Sequence, residues 1–209
     1  EIEFAMLNDP DENINKFSLI QLRPLVADLS DVVVDLDEID KETVILKSSQ
    51  SLGNGIISKV KDIIYVDPSR LNRMKTRDLV PLITRLNNRL KREKRPYLLI
   101  GPGRWGSSDP SLGIPVSWSN ISAAVAIVEC DMVDIKVEPS QGTHFFQNIV
   151  SFQIGYLTVK DSEGGVDFDW LDQYEPEFEQ GPLRHIRLET PIRVLLDSRN
   201  QTGLVQRPI

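Results

Sequence analysis

Tyr97-Leu98-Leu99-Ile100-Gly101-Pro102-Gly103-Arg104-Trp105-Gly106-Ser107-Ser108-Asp109 is the stretch on which the fold turns. The apolar run at its start reads as a buried strand. It stops in glycines and a proline, followed by an arginine, a tryptophan, two hydroxyls and a carboxylate. Gly101, Gly103 and Gly106 allow positive φ and close approach of another group to the backbone. A glycine-rich turn at a strand's carboxyl end is where open α/β sheets hold ligands. Arg104 adds a planar fork suited to phosphate or carboxylate. A second reading stands beside this one: a tight structural turn in which Trp105 fills the core and Arg104 makes an ion pair. The spacing is not a P-loop, because no Gly-Lys-Ser/Thr follows. Nor is it a dinucleotide fingerprint, because the third glycine falls too early.

The residues around the stretch place it in a layered fold. Thr76 to Lys94 has the helical period, with Leu79, Ile83, Leu86 and Leu90 on one stripe and Val80 and Leu82 widening it. Thr76 or Asp78 is its expected cap, with Pro81 in the first turn if Asp78 is the cap. The other face is basic, with Arg85, Arg89, Lys91 and Arg92. These cations suit the helix dipole at that end, or a phosphate or nucleic acid. Ile63–Val66, this helix and Tyr97–Ile100 form one βαβ unit. Downstream, Ala123–Glu129 reads as a buried strand and Ile154–Val159 as another. Between them lies Glu138-Pro139-Ser140-Gln141-Gly142-Thr143-His144-Phe145-Phe146-Gln147-Asn148. Ser140 or Thr143 is the expected helix cap, and Phe145, Ile149 and Phe152 share a helical face. In this second βαβ unit, Thr143 and His144 open a helix at the same sheet edge as Arg104 and Ser107. Helix starts attract anions. The candidate ligand-binding set is therefore Gly101, Gly103, Arg104, Ser107, Ser108, Thr143 and His144.

The totals narrow the classes. The 209 residues suffice for one good-sized domain, or a domain plus part of another. A formal charge of −7 argues against a general nucleic-acid binder. No apolar run reaches membrane-spanning length. The single cysteine, Cys130, excludes an intramolecular disulfide and fits a reducing cytoplasm. No signal peptide is visible, and the chain opens on Glu1 in a strand-like pattern, as a piece of something longer would. Asp161–Gln180 is strongly acidic and reads as a solvated surface segment. Phe168, Trp170, Leu171 and Tyr174 fasten it, and its charge opposes the basic helix. His185, in a strand-like run, reads as structural. Ile192–Leu196 and Gly203–Gln206 read as a terminal hairpin. The expected class is mixed α/β: a mixed sheet with two βαβ-like units and hairpins at the ends.

At the amino end, Glu1–Met6 and Phe17–Arg23 alternate as the two strands of a hairpin. The period of two places Glu3 on one face of its strand, and Gln21 and Arg23 on one face of the other. That is a set for a magnesium-bound triphosphate, or for a simple ion pair across the hairpin. The stretch "EIEFAM…FSLIQLRPL" resembles the closing strands of the ATP-grasp, nucleotide-binding domain of the phosphoenolpyruvate synthase/pyruvate phosphate dikinase family. "LLIGPGRWGSSDPSLGIPVSW" and "PSQGTHFFQNIVSFQIGYLTV" resemble the carboxyl-terminal region of large proteins of the same kind. The resemblance implies an ATP- and Mg-dependent phosphotransferase as parent, with Glu3 on the metal side and Gln21 and Arg23 at the nucleotide. It implies a division into 1–29, the end of the nucleotide-binding domain, and 30–209, a C-terminal α/β domain without complete catalytic machinery. In that family a histidine carries the phosphoryl group within a Gly-Gly-x-Thr/Ser-x-His-Ala-like motif. Here Thr143 directly precedes His144, and Phe145 and Phe146 replace the small residues, so His144 reads as structural or site-lining. The resemblance implies the parent's upstream domains as partners; the residues themselves point to an anionic small molecule and a second copy at the open hairpin edge, with neither nucleic acid nor membrane. A structural or dimerising appendage is the competing reading.

Overall fold

The computed structural model describes residues 2–9, 14–22, 39–109, 111–131, 136, 144–197 and 199–208. β1 (Ile2–Asp9) and β2 (Ile14–Leu22) form an antiparallel hairpin, longer in both strands than the alternation suggests. β3 (Val44–Ser48), β4 (Gln50–Leu52) and β5 (Gly55–Val66) follow, then α1 (Leu79–Arg92) and β6 (Tyr97–Pro102). β7 (Arg104–Trp105) and β8 (Gly113–Ile114) make a small parallel pair. Next come α2 (Trp118–Ile121), β9 (Ala124–Cys130), α3 (His144–Ser151) and β10 (Gly155–Val159). The chain ends with α4 (Phe168–Leu171), β11 (Pro176–Gln180), β12 (Leu183–Asp197) and β13 (Thr202–Gln206).

The main sheet runs β3-β13-β12-β5-β6-β9-β10-β4, with β11 added on β12. β5, β6, β9 and β10 are parallel neighbours, so both expected βαβ units are present. β12 and β13 form the expected terminal hairpin. The fold is mixed α/β.

The two ends of the strand order are joined by one residue. β3 pairs with β13 and β4 pairs with β10, and only Ser49 separates β3 from β4. One bent strand thus supplies both ends, and the sheet rolls round on itself. Ser48 Oγ donates to Thr158 O at 2.6 Å, and Ser51 N donates to Gln201 O at 2.8 Å, across the closure. Rolling a sheet shut satisfies edge groups that would otherwise be free to pair.

Alternation along the strands makes two apolar layers. Inside the roll lie Ile63, Tyr65, Leu98, Ile100, Val128 and Leu157, with Trp170 and Leu171 of α4 among them. Outside, Ile64, Tyr97, Leu99, Ile127 and Tyr156 meet the stripe Leu79, Ile83, Leu86 and Leu90 of α1, with Phe145 and Ile149 of α3. Two local expectations changed. Asp78 makes no side-chain cap. A 3-10 turn, Arg73–Asp78, leads into α1 and is capped by Asn72, whose side chain accepts from Met74 N. Phe152 is exposed, because α3 ends at Ser151 and the turn at Gln153 (φ 54°) breaks the helical period. Its ring stacks on Trp118 at 5.0 Å.

Where β5 meets the start of β6, a buried charge network ties α1 to the sheet. Asp62 accepts from Arg95 Nε at 2.7 Å and from Arg187 Nε at 3.0 Å, and lies 2.9 Å from His185 Nε2. Arg89 Nη2 lies 3.4 Å from His185 Nδ1 and can only donate, so Nε2 carries the hydrogen that Asp62 accepts. His185 is thus structural, fully buried within β12. The acidic segment also meets the basic helix, through Arg89 to Glu177 at 3.7 Å and Arg85 over the Phe178 ring. Burial alone would raise the Asp62 carboxyl, but the bonds from His185, Arg95 and Arg187 hold it at about 2. A carboxyl lowered on folding adds stability above its unfolded pKa and loses it as pH falls through the folded one. Asp62→Asn is expected to cost about 3 kcal/mol in urea unfolding at neutral pH, since it removes one partner of a buried charge cluster. The deficit should shrink by about 2 kcal/mol between about pH 4 and pH 2. A deficit that does not change with pH would remove Asp62 as the cause.

Candidate functional site

β5, β6, β9 and β10 all point their carboxyl ends at one rim of the sheet. The glycine-rich loop leaves β6 there: Gly103 (φ 69°) donates its N–H to Cys130 O at 2.8 Å, and Gly106 has φ 80°. The loop folds back through Arg104 N to Leu112 O and Gly106 N to Ile114 O, both at 2.9 Å. Inside it, Ser107 Oγ donates to Asp109 O, and Asp109 Oδ1 accepts from Ser111 N and Oγ.

The loop and the start of α3 touch. A Cβ placed on Gly106 would lie 2.5 Å from Phe145 Cγ, and Phe145 is in the first turn of α3. The glycine loop and the first turn of α3 therefore share the rim, as their positions after β6 and β9 imply. Their aromatic rings fill the space over two of the glycines. Trp105 is 1% exposed, and a Cβ on Gly101 would lie 2.3 Å from its Cζ2. Gly101 and Gly106 are thus small because rings pack on them, and the space above them is closed to a ligand.

Of the candidate residues, Gly101 and Gly103 are buried, Arg104 and Ser107 are half-buried, and Ser108 is exposed. His144 is the first residue of α3, described in backbone only. Thr143 and Arg23 lie outside the described residues, as do the expected caps Ser140 and Thr143. In the hairpin, Glu3 pairs directly with Gln21 in backbone register.

The structure adds a residue at the rim that the sequence reading passed over. Glu129 is fully buried on the helix side of β9. Its Oε1 accepts from Trp105 N at 2.8 Å and its Oε2 from Tyr156 Oη at 2.5 Å. Trp105 Nε1 donates to Val128 O at 3.0 Å. One carboxyl group thus fixes the backbone of the glycine loop and a tyrosine of the neighbouring strand, β10. The available signal was a lone charge, Glu129, closing the apolar run Ala124–Val128.

Two hollows flank the loop after β5. One, of about 480 Å³, is lined by Asp67, Cys130, Asp131, Asp161, Asp169 and Asp172. Asp172 is held by Tyr65 Oη at 2.7 Å and by Arg184. Burial, then Asp172, raises the Tyr65 hydroxyl, and burial raises the Cys130 thiol. These carboxylates disfavour an anion on that side. Among the described residues no cluster of three or more potential ligands is arranged to hold a metal. The other, a shallow groove of about 590 Å³, runs from Ser69 to Met74 against Ser111 and carries Arg70 and Arg73. Among the described residues no helix is long and apolar enough to cross a membrane.

Compared with models of protein families, with curated proteins and with solved structures, the chain matches none.

Gly106→Ala is expected to cost about 2–3 kcal/mol in urea unfolding, combining a left-handed backbone with a ring in contact. Gly164→Ala, at φ 106° with nothing within 4 Å, is the control and should lose only about 1 kcal/mol. Equal losses would show that Phe145 does not press on Gly106.

Proposed function

We propose that this chain is the carboxyl-terminal part of an ATP-dependent phosphotransferase of the phosphoenolpyruvate synthase/pyruvate phosphate dikinase kind. Its α/β body is a ligand-binding or regulatory domain with no complete chemistry of its own. The observation that carries this is the contact of Gly106 with Phe145. It brings the glycine loop against the start of α3, one from each of the two stretches on which the resemblance rests. Arg104, Ser107, Ser108, Thr143 and His144 belong to those turns and supply the polar groups for an anionic small molecule. In the parent, Glu3 holds magnesium and Gln21 and Arg23 hold the oxygens of ATP. The register pairing Glu3 with Gln21 is compatible with that set. One buried cysteine fits a cytoplasmic protein.

A second reading, a dimerising appendage, is favoured by one observation. Phe4, Met6, Phe17 and Leu19 of the hairpin are each more than half exposed, with Phe4 and Phe17 stacked at 5.1 Å. A two-stranded hairpin with a bare apolar face is marginal alone.

The test is an amide NMR titration of the chain with phosphoenolpyruvate and with MgATP. Signals of Gly103, Gly106 and Phe146 are expected to move with at least one of them; stationary signals with both would overturn the rim reading. Sedimentation equilibrium separates the second reading. A dimer that dissociates on Phe17→Asp supports it, and a monomer at every concentration removes it.

A further inference from the structure

We infer that the turn Asp161–Gly165 is a hinged flap over the hollow at the carboxyl ends of β5 and β9, and that its lifting opens the hollow and the buried Cys130 thiol to solutes. The inference goes beyond the anion reading of the rim and does not rest on it.

The hollow holds about 480 Å³. Of its lining residues, Asp67, Cys130 and Asp131 stand at the strand ends, whereas Asp161, Gly164 and Gly165 belong to the turn that follows β10. That turn has no apolar side chain, and Asp161 to Gly164 are exposed. A segment with so little buried apolar surface opens at low cost in free energy. Both its flanks are anchored. β10 pairs along its length with β9, and on the other side Val166 bridges to Leu46 and Asp167 N donates to Ile45 O at 2.9 Å. Two successive glycines adjoin the second anchor, Gly164 at φ 106° and Gly165 at φ 66°. A Cβ on Gly164 would meet nothing within 4 Å, so packing does not require that glycine and its contribution is backbone freedom.

Polar bonds hold the flap closed. Glu163 grips the bend of the sheet: its Oε1 accepts from Ser49 Oγ at 2.7 Å and its Oε2 from Ser49 N at 3.2 Å. Asp161 N donates to Asp131 Oδ2 at 3.0 Å. The Glu163 clasp is exposed, where water competes for the same groups and keeps the net gain small. Beside the flap, Cys130 is the chain's one cysteine and is 3% exposed. Burial, then the charges of Asp161 and Asp131, raise its thiol. The closed flap therefore keeps the sulfur both covered and protonated, and only the thiolate is reactive.

The experiment follows alkylation of Cys130 in the folded chain by iodoacetamide, a small neutral reagent, read by mass spectrometry without denaturant. Hydrogen exchange of the Asp161 amide, measured by NMR, is the second readout. Glu163→Ala is expected to speed both about fivefold, the loss of a clasp of two exposed hydrogen bonds. Ser49→Ala should speed both by less, because the backbone bond to Glu163 remains. Ile83→Val, in the buried stripe of α1, shifts global unfolding about fivefold and should change neither rate. Alkylation that rises in Ile83→Val in step with unfolding comes from opening of the whole chain and overturns the flap. Alkylation that Glu163→Ala leaves unchanged overturns it too, since the thiol is then reached by another route. A folded chain that is never alkylated has the same consequence. Faster exchange at Asp161 without faster alkylation shows a turn that moves without opening the hollow, and likewise overturns the inference.

Discussion

The bend at Ser49 is the constraint on which the body depends. It turns one extended segment into two strands, β3 on β13 and β4 on β10, so the sheet's ends lie at one place. A flat sheet of this length would leave two open edges and bury only the face under its helices. Rolling it gives the inner face a core of its own, from Ile45 to Val205, closed at one end by Trp170 and Leu171. Gly155 and Gly203 let the turns of the roll approach. A Cβ on Gly155 would lie 2.8 Å from Leu196 Cδ1, and one on Gly203 would lie 3.0 Å from Leu157 Cδ2.

The rim follows from that roll and from one buried carboxylate. Parallel strands bring their carboxyl ends together, and Glu129 then fixes what leaves them. It holds the Trp105 backbone on one side and Tyr156 on the other. With Trp105 seated on Gly101, the glycine loop has one position. Phe145 settles against Gly106 and aligns the start of α3 with it. Burying a polar group is costly unless it is well bonded. Glu129 meets that condition by binding the loop, so the same bonds that make its burial tolerable also define the site.

Charge is segregated between the two edges. Near the start of β6, Asp62 gathers His185, Arg95 and Arg187 into a network that seals α1 onto the sheet. At the carboxyl rim, aspartates collect on the side of the inner core and arginines on the far side of Ser69. Side chains of opposite charge thus line neighbouring hollows on either side of Ser69, although the whole chain carries a charge of −7. Net charge alone does not predict that division, because local potential depends on which side chains become neighbours.

Much of the fold was legible in the chain itself. The stripe Leu79, Ile83, Leu86, Leu90, the runs of β6, β9 and β10, and the terminal hairpin are local patterns. Local patterns are fixed by the geometry of helix and strand. The shared rim was legible too, because parallel strands linked by helices place their following turns on one side. What fills a turn was not legible. Gly101 and Gly106 suit a ligand and a ring equally well in sequence, and only packing assigned Trp105 and Phe145 to them. The roll at Ser49 was hidden for the same reason: Ser48-Ser49-Gln50 is an ordinary polar link until its flanks find β13 and β10. Glu129 and Asp62 gain their roles from partners 24 to 125 residues away. Periodicity along a chain reports which face a residue presents; only the folded structure decides what that face meets.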